Sequence, residues 1–428
     1  MKAIYISSFL IALQVYCLHQ PGHNDGPDGQ GDKIIFEDQD SPVEEEQGKK
    51  TTYYEKIAPN NADFAFRFYR HITFHTASKN IFFSPFSIST AFGMLVLGAR
   101  SKTQSQIYEG LAFNLSEIEE NKIHKGFHQL MQVLSHPNNK AQVNIGNALF
   151  IEESLKILPK FLEDIKSLYT AEAFSSNFSN STATEKQINE YVQNKTHGKI
   201  THAVEDLDPS SVMVLVNYIF FKAHWQNPFD TDFTREEDFF PDANTTVKVQ
   251  MMYRQGYYNF LYDNELSCWV VEVPYKGDAS AIFILPDDGK MKQVEGALSI
   301  ETLAKWKASL TLREIHLFIP KLSISASYNV KELLQKMGII DAFSDNADLS
   351  GITGGRNLKV SKAVHKAIVD IHESGTEAAA VTVIEISPRF GGPSTSIKYN
   401  QPFLFLIINK TTHTILFAGK IVNPTEKR

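Results

Sequence analysis

The side chains whose types and spacing suggest chemistry lie between Glu373 and Pro402. Glu373-Ser374-Gly375-Thr376-Glu377-Ala378-Ala379-Ala380 runs on into Val381-Thr382-Val383-Ile384-Glu385-Ile386. In an extended strand, alternation puts Thr376, Ala378, Ala380, Thr382, Ile384 and Ile386 on one face. That face is small to apolar and can be buried, while the other carries Glu377 and Glu385. Ser387-Pro388-Arg389-Phe390-Gly391-Gly392-Pro393-Ser394 follows, a run of turn formers that belongs at the surface. From pattern alone two readings stand. One is an ordinary edge strand followed by a surface loop; the other is a bait, Arg389, held on a segment able to enter a sheet.

No catalytic centre accompanies this segment. The chain lacks a G-x-S-x-G nucleophile elbow, an H-E-x-x-H zinc helix and a phosphate loop ending in G-K-S/T. Gly351 to Gly355 is Gly-rich, without the Lys and helix that a phosphate cradle requires. The 14 histidines show no metal-ligand spacing. Cys268 and His365 could pair as nucleophile and base, but nothing in their surroundings supports it. The expectation is a protein that is no enzyme and holds no metal or cofactor.

The composition fits a large globular protein: 428 residues, 43% hydrophobic, net charge −7. Such a chain buries about 75% of its unfolded surface. Mild acidity argues against nucleic acid as a partner, since phosphate binding leans on clustered Lys and Arg. Lys2 and the apolar run Ala3 to Leu18 predict a secretory signal over residues 1–17, with Val15-Tyr16-Cys17 at the cleavage site. No later segment is long and apolar enough for a membrane helix, so no membrane partner is expected. Six N-x-Ser/Thr sequons begin at Asn114, Asn177, Asn180, Asn194, Asn244 and Asn409, which in a chain with a leader point to a secreted glycoprotein. Cleavage after Cys17 would leave Cys268 alone, either a small buried apolar side chain or a reactive thiol.

The elements that must position the segment come next. Residues 18–56, acidic and poor in apolar side chains, predict a solvated tail whose charge could pair with a basic partner. From Ile57 to the end the pattern is that of one domain. Phe64, Phe68 and Ile72 mark a first helix with Asn61 and Asp63 as cap candidates; a second helix follows Ser87, and Pro159 opens a third. Later the signals turn to strand: Cys268–Val273 with Ala281–Leu285, Ile315–Ile319, and Phe403–Ile408 with Thr414–Gly419. Without a βαβ rhythm or a repeat, the fold class is α+β.

Five motifs carry a resemblance. They are Asn80-Ile81-Phe82-Phe83-Ser84-Pro85-Phe86-Ser87-Ile88, then Val216-Asn217-Tyr218-Ile219-Phe220-Phe221-Lys222 with Trp225, and Leu358-Lys359-Val360-Ser361-Lys362-Ala363-Val364-His365-Lys366. The others are the Gly375-Thr376-Glu377-Ala378-Ala379 hinge and Tyr399-Asn400-Gln401-Pro402-Phe403. Over residues 57–424 the chain resembles the serpins, and closely the alpha-1-antitrypsin group of plasma serpins. The resemblance implies three β-sheets, eight or nine helices, an exposed reactive-centre loop and action as a monomer.

It also implies a mechanism. A serine protease attacks the loop as substrate, the acyl-enzyme forms, and the cut loop inserts as a new strand in the main sheet. By the family's count from the hinge, the seventeenth residue from Glu373 is Arg389, so the scissile bond is expected at Arg389–Phe390. An Arg there suits trypsin-like proteases, whose pocket carboxylate pairs with a guanidinium. This departs from antitrypsin itself, whose bait residue is Met, and a slightly longer loop leaves Phe390 as an alternative bait for chymotrypsin-like targets. Ser84, Ser87, Asn217 and His365 match the family's polar cluster beneath the main sheet. Trp225, Lys321 and Glu373 match the region where the loop first enters, and the hinge itself spans Glu373, Gly375, Thr376, Glu377, Ala378, Ala379 and Ala380. A non-inhibitory carrier of a hormone is the rival reading. Arg100 and Lys102 precede the helix that binds heparin in some relatives, a thin basis for a glycosaminoglycan partner.

Overall fold

Apolar spacing builds ten α-helices among the described residues of this computed structural model, which are 52–426 without Ala77, 137–138 and 377–394. They are α1 (Tyr54–Thr76), α2 (Pro85–Val96), α3 (Ser101–Gly110), α4 (Glu120–Leu134) and α5 (Pro159–Tyr169). Then come α6 (Ser181–Lys195), α7 (Met291–Ala297), α8 (Ile300–Ser309), α9 (Lys331–Lys336) and α10 (Ser350–Thr353). The strands begin with β1 (Ile81–Phe83), β2 (Gln142–Glu152), β3 (Glu172–Ser176), β4 (Met213–His224) and β5 (Arg235–Asp242). β6 (Thr245–Asp263), β7 (Cys268–Pro274), β8 (Ala279–Pro286), β9 (Thr311–Pro320) and β10 (Leu322–Asn329) follow. Last are β11 (Lys362–His372), the two-residue β12 (Gly375–Thr376), β13 (Thr395–Lys398), β14 (Phe403–Asn409) and β15 (Ile415–Ile421). The fold class is α+β.

Two hydrogen-bonded networks form. One runs β1-β15-β14-β8-β7-β6-β9-β13 with β5 on β6, and the other runs β10-β11-β12-β4-β2-β3. The resemblance implied three sheets. Here β6, 19 residues long, pairs with β5 and β9 and then with β7, fusing what would be two sheets into one. The six-stranded sheet carries Asn217 on β4 and His365 on β11. β4 reads as a nearly unbroken apolar run because both of its faces are covered. Leu215, Ile219 and Phe221 join the main core, whereas Val214 and Val216 pack with Ile188 and Val192 of α6. α2, buried along its whole length, touches β4 and β2 on one side and β15 of the other network.

Three sequence expectations shift. The first helix starts at Tyr54, not behind Asn61, so residues 54–56 of the expected tail are helical. Pro59 inside α1 forfeits one backbone bond, which the packed face of α1 outweighs. Asn61 is no cap: it is buried, and its Nδ2 donates to Ile415 O at 3.0 Å. The second helix begins before Ser87, with Pro85 in its first turn and Ser84 as its cap. The expected strands at 268–273, 281–285, 315–319 and 403–408 fall within β7, β8, β9 and β14, and that at 414–419 overlaps β15, which begins one residue later at Ile415. The signal peptide, residues 18–51 of the tail, Glu377 to Ala380, Arg389 and Phe390 lie outside the described residues.

Candidate functional site

The site is the seam between β4 and β11. These strands run parallel and pair directly from Lys362 opposite Val214 to Ile368 opposite Phe220. Beyond that point they part. β12 fills the gap, Thr376 lying opposite Ile371 on one side and Ala223 on the other.

In the middle of the seam Asn217 and His365 sit directly across from each other, facing α2. Ser84 caps α2 through its Oγ, which accepts from Ser87 N at 3.1 Å, and its own backbone N–H donates to His365 Nε2 at 3.0 Å. A nitrogen that accepts holds no proton, so the proton of His365 is on Nδ1. Nδ1–H donates to Asn217 Oδ1 at 2.6 Å, where the Ser87 hydroxyl also donates at 2.8 Å. The Asn217 amide donates in turn to Ser87 O at 3.0 Å and Asn147 Oδ1 at 2.7 Å. Ser84, Ser87, Asn217 and His365 are thus brought into one buried network with α2 as its back wall. Burial pushes the His365 imidazole down to about 3, so it is neutral. Asn147 and Thr90, whose hydroxyl accepts from Asn147 Nδ2 at 3.3 Å, were missed by sequence reasoning. An Asn inside the apolar run of β2 was the signal for the first; nothing marked Thr90.

At the upper end, Trp225 stacks on Tyr275 with ring centroids 4.2 Å apart and 12° between planes. Its Nε1 donates to His372 O at 2.9 Å, and its backbone N donates to Ser374 O at 3.0 Å. The Glu373 carboxylate meets Lys321 Nζ at 3.0 Å and accepts from Thr234 Oγ1 at 2.8 Å. Burial raises the carboxyl, but its own backbone N–H, Lys321 and Thr234 outweigh that and hold it below the usual range. Gly375 has φ 138°, and a Cβ there would stand 2.2 Å from Ala223 O; only glycine fits. Thr376 is buried, its hydroxyl 2.9 Å from the Tyr275 hydroxyl. Tyr275 and Thr234 had escaped notice because nothing local in the sequence ties them to a segment about a hundred residues later.

Other candidates fall elsewhere. Cys268 is buried in the nine-stranded network, and burial pushes its thiol up to about 12; His365, in the six-stranded sheet, is spent on Ser84 and Asn217. Arg100 donates to the carbonyls of Leu97 and Ala99, and Lys102 lies 3.7 Å from Asp341. Asn114, Asn177, Asn180, Asn194 and Asn244 are exposed. Asn409 is not: it is buried, and its Oδ1 accepts from both the backbone N and the hydroxyl of Thr412, which removes it from the glycan candidates of the folded chain. No group of three His, Cys, Asp or Glu among the described residues could hold a metal.

The family model described as serpin (serine protease inhibitor) matches residues 59–424. The chain belongs to the serpin family. It is 49% identical to alpha-1-antiproteinase 2 of Equus caballus, covering 87% of this chain and 88% of the relative. With alpha-1-antichymotrypsin of Pongo abelii it shares 45% over 91% and 93%. Among solved structures, human thyroxine-binding globulin complexed with thyroxine superposes with a TM-score of 0.84 at 47% identity, covering 87% of this chain and 100% of that one. Human glycosylated kallistatin gives 0.82 at 43%, covering 88% and 100%. Protease inhibition is the activity that the names of these antiproteinase relatives share with the family description.

In this serpin the seam carries a measurable pH signature. His365 has a folded pKa near 3 against about 6.5 unfolded, so its contribution to stability is complete above pH 6.5 and declines as pH falls toward 3. The decline is about 1.4 kcal/mol per pH unit in that window. Thermal unfolding from pH 7 to 4 should show a steeper loss for the parent serpin than for His365→Gln; equal slopes would refute the assignment. Asn217→Ala strands His365 Nδ1–H, the Ser87 hydroxyl and Asn147 in an apolar interior. The expected cost is about 1–3 kcal/mol in urea unfolding, far above that of an exposed Asn→Ala such as Asn244→Ala.

Proposed function

We propose that the protein is a secreted suicide-substrate inhibitor of trypsin-like serine proteases, acting as a monomer. The protease serine attacks the Arg389 carbonyl carbon, the Arg389–Phe390 bond breaks, and the amine of Phe390 leaves. The acyl-enzyme is then carried along as the segment from Thr376 onward enters between β4 and β11. The protease's own water-driven deacylation is outrun by that movement, which is why the serpin needs no catalytic group.

The observation that carries this reading is β12. Its two residues already lie between β11 and β4 with ladder bonds on both sides, so insertion has a starting point and a direction. Thr376 to Arg389 is fourteen residues, about 46 Å when extended, enough to continue β12 down the seam. The parallel contact below would be replaced by two antiparallel ones, the more favourable pairing per residue. Small side chains at Ala378 and Ala380 suit passage between packed strands. Trp225, Lys321 and Glu373 fix the point of insertion, and Ser84, Ser87, Asn217 and His365 set how readily the seam parts. Secretion rests on the leader at residues 1–17 and on the exposed sequons at Asn114, Asn177, Asn180, Asn194 and Asn244.

A carrier role is the second reading, favoured by the relative solved with thyroxine. Against it stands the make-up of the hinge. The hinge side chains Thr376, Ala378, Ala379 and Ala380 are those an inserting strand needs.

Incubation with trypsin, thrombin and plasma kallikrein, followed by denaturing gel electrophoresis, should give a covalent complex with at least one of them. A chain that is merely cut while every protease stays active would refute the inhibitor reading. The released peptide should begin at Phe390; a start at Gly391 would move the bait to Phe390. Thr376→Arg places a guanidinium where the wild-type side chain is buried against Tyr275. It should turn the inhibitor into a substrate, raising the moles of serpin consumed per mole of protease severalfold.

A further inference from the structure

A hollow beside the seam has walls of mixed character that neither the core nor the inhibitory cycle accounts for. It lies between the connection from α6 to β4 and the strands β10 and β11, and measures about 390 Å³. Its apolar walls are Ile200 of the connection, Ile324 and Ala326 of β10, and Ile368 of β11, with Lys199 and Lys366 beside them. That size is in the range of small-molecule sites. A second hollow of about 720 Å³ shares Lys199 and continues along β10 past Leu322, so an elongated ligand has room to run.

Two features set the chemistry of an occupant. Lys366 is half-buried on β11, directly across from Ser327 of β10, and no described residue gives its ammonium a hydrogen bond or an ion pair. Burial pulls that ammonium below the usual lysine range, and Glu205 offsets only part of the effect. An anion in the hollow supplies the counter-charge that the fold leaves out. Lys199 brings a second ammonium, 5.7 Å from the centroid of the Phe220 ring of β4. The other feature is the aliphatic wall, which rewards an anion that carries an apolar body. Glu426 and Asp370 also line the two hollows, and their carboxylates oppose a polyanion such as a sulfated polysaccharide.

We propose that this hollow binds a fatty-acid-type carboxylate, its head at Lys366 and Lys199 and its chain against Ile200, Ile324 and Ile368. A single carboxylate is matched by two point charges, and the hydroxyls of Ser325 and Ser327 stand on the same stretch of β10 as further donors. The walls belong to both sides of the seam. Ile200 packs in one cluster with Val214 and Val216 of β4 and Val192 of α6, whereas Ile324 and Ile368 belong to the paired strands β10 and β11. A ligand held from both sides binds the closed sheet better than one in which β11 has moved off β4. By mass action it then delays the entry of a new strand. The site stands without the inhibitory reading; only the delay rests on it.

Decanoate is the probe, titrated by calorimetry into the full-length protein. One saturable site is expected, with Lys366→Met and Lys199→Met each weakening Kd about tenfold. Lys290→Met, at an exposed lysine on the turn after β8, should leave Kd unchanged. Lys199 is exposed, so Lys199→Met folds and decides the matter even if Lys366→Met does not. No saturable binding, or a parent-like Kd in Lys199→Met, overturns the proposal. So does 1-decanol binding as tightly as decanoate, or heparin displacing decanoate from the site. In the trapping assay, decanoate at ten times Kd should slow complex formation about tenfold for the parent and about twofold for Lys199→Met. An unchanged rate overturns the delay. A chain that binds decanoate but traps no protease refutes the inhibitory reading alone, and the Kd ratios still decide the site.

Discussion

A neutral imidazole in the middle of a parallel seam is the constraint on which the rest of the structure depends. His365 can accept from Ser84 N–H only while its Nε2 is bare, and it can donate to Asn217 only through Nδ1. That fixed polarity ties three elements together: β11 through His365, β4 through Asn217, and α2 through Ser84 and Ser87. A charged imidazole would set two N–H groups against each other in a buried site. Buried polar networks of this kind add little net stability over an apolar core of the same shape, but they penalise half-open states heavily. In the proposed cycle the seam would therefore favour two arrangements, fully closed or fully filled, with little between.

Around this switch the molecule divides its labour. The nine-stranded network, joined along the length of β6, gives a frame that nothing in the proposed cycle has to break. α2 touches both networks and forms the wall behind the seam. The upper end is the guide: Trp225 and Tyr275 stack, Glu373 is tied to Lys321 and Thr234, and Gly375 allows the chain to turn in against Ala223 with no side chain in the way. Rigid guide, rigid wall and a two-state seam are what a one-way insertion requires.

Much of this was legible in the sequence, and the parts that were not have a common cause. Strands with strong apolar character, such as β14 and β15, were visible because every residue in them is buried. The start of α1 was missed since its first turns lie ahead of the Phe64, Phe68 and Ile72 spacing, and the tertiary burial of Ile57 and Ala58 is what extends the helix back to Tyr54. Ser84, Ser87, Asn217 and His365 could be singled out through resemblance, yet no periodicity says that residues so far apart share hydrogen bonds. Asn147 and Tyr275 escaped for the same reason, as their importance is created by packing. Asn409 shows the reverse: a sequon is a three-residue pattern, and burial by Thr412 is invisible to it.

The parallel sense of the seam also has a consequence in time. Asn217 and His365 are separated by 148 residues, so no hairpin can bring β11 to β4 early. During synthesis at about 5–20 residues per second, the far edge of β4 waits roughly 7 to 30 s before its partner has been made. Throughout that wait an apolar strand edge is open to any other strand, including the corresponding one of a neighbouring nascent chain. In the proposed cycle, the edge that would accept a late strand is thus open as soon as β4 has been made, near the midpoint of translation, and it needs shielding long before there is anything to inhibit.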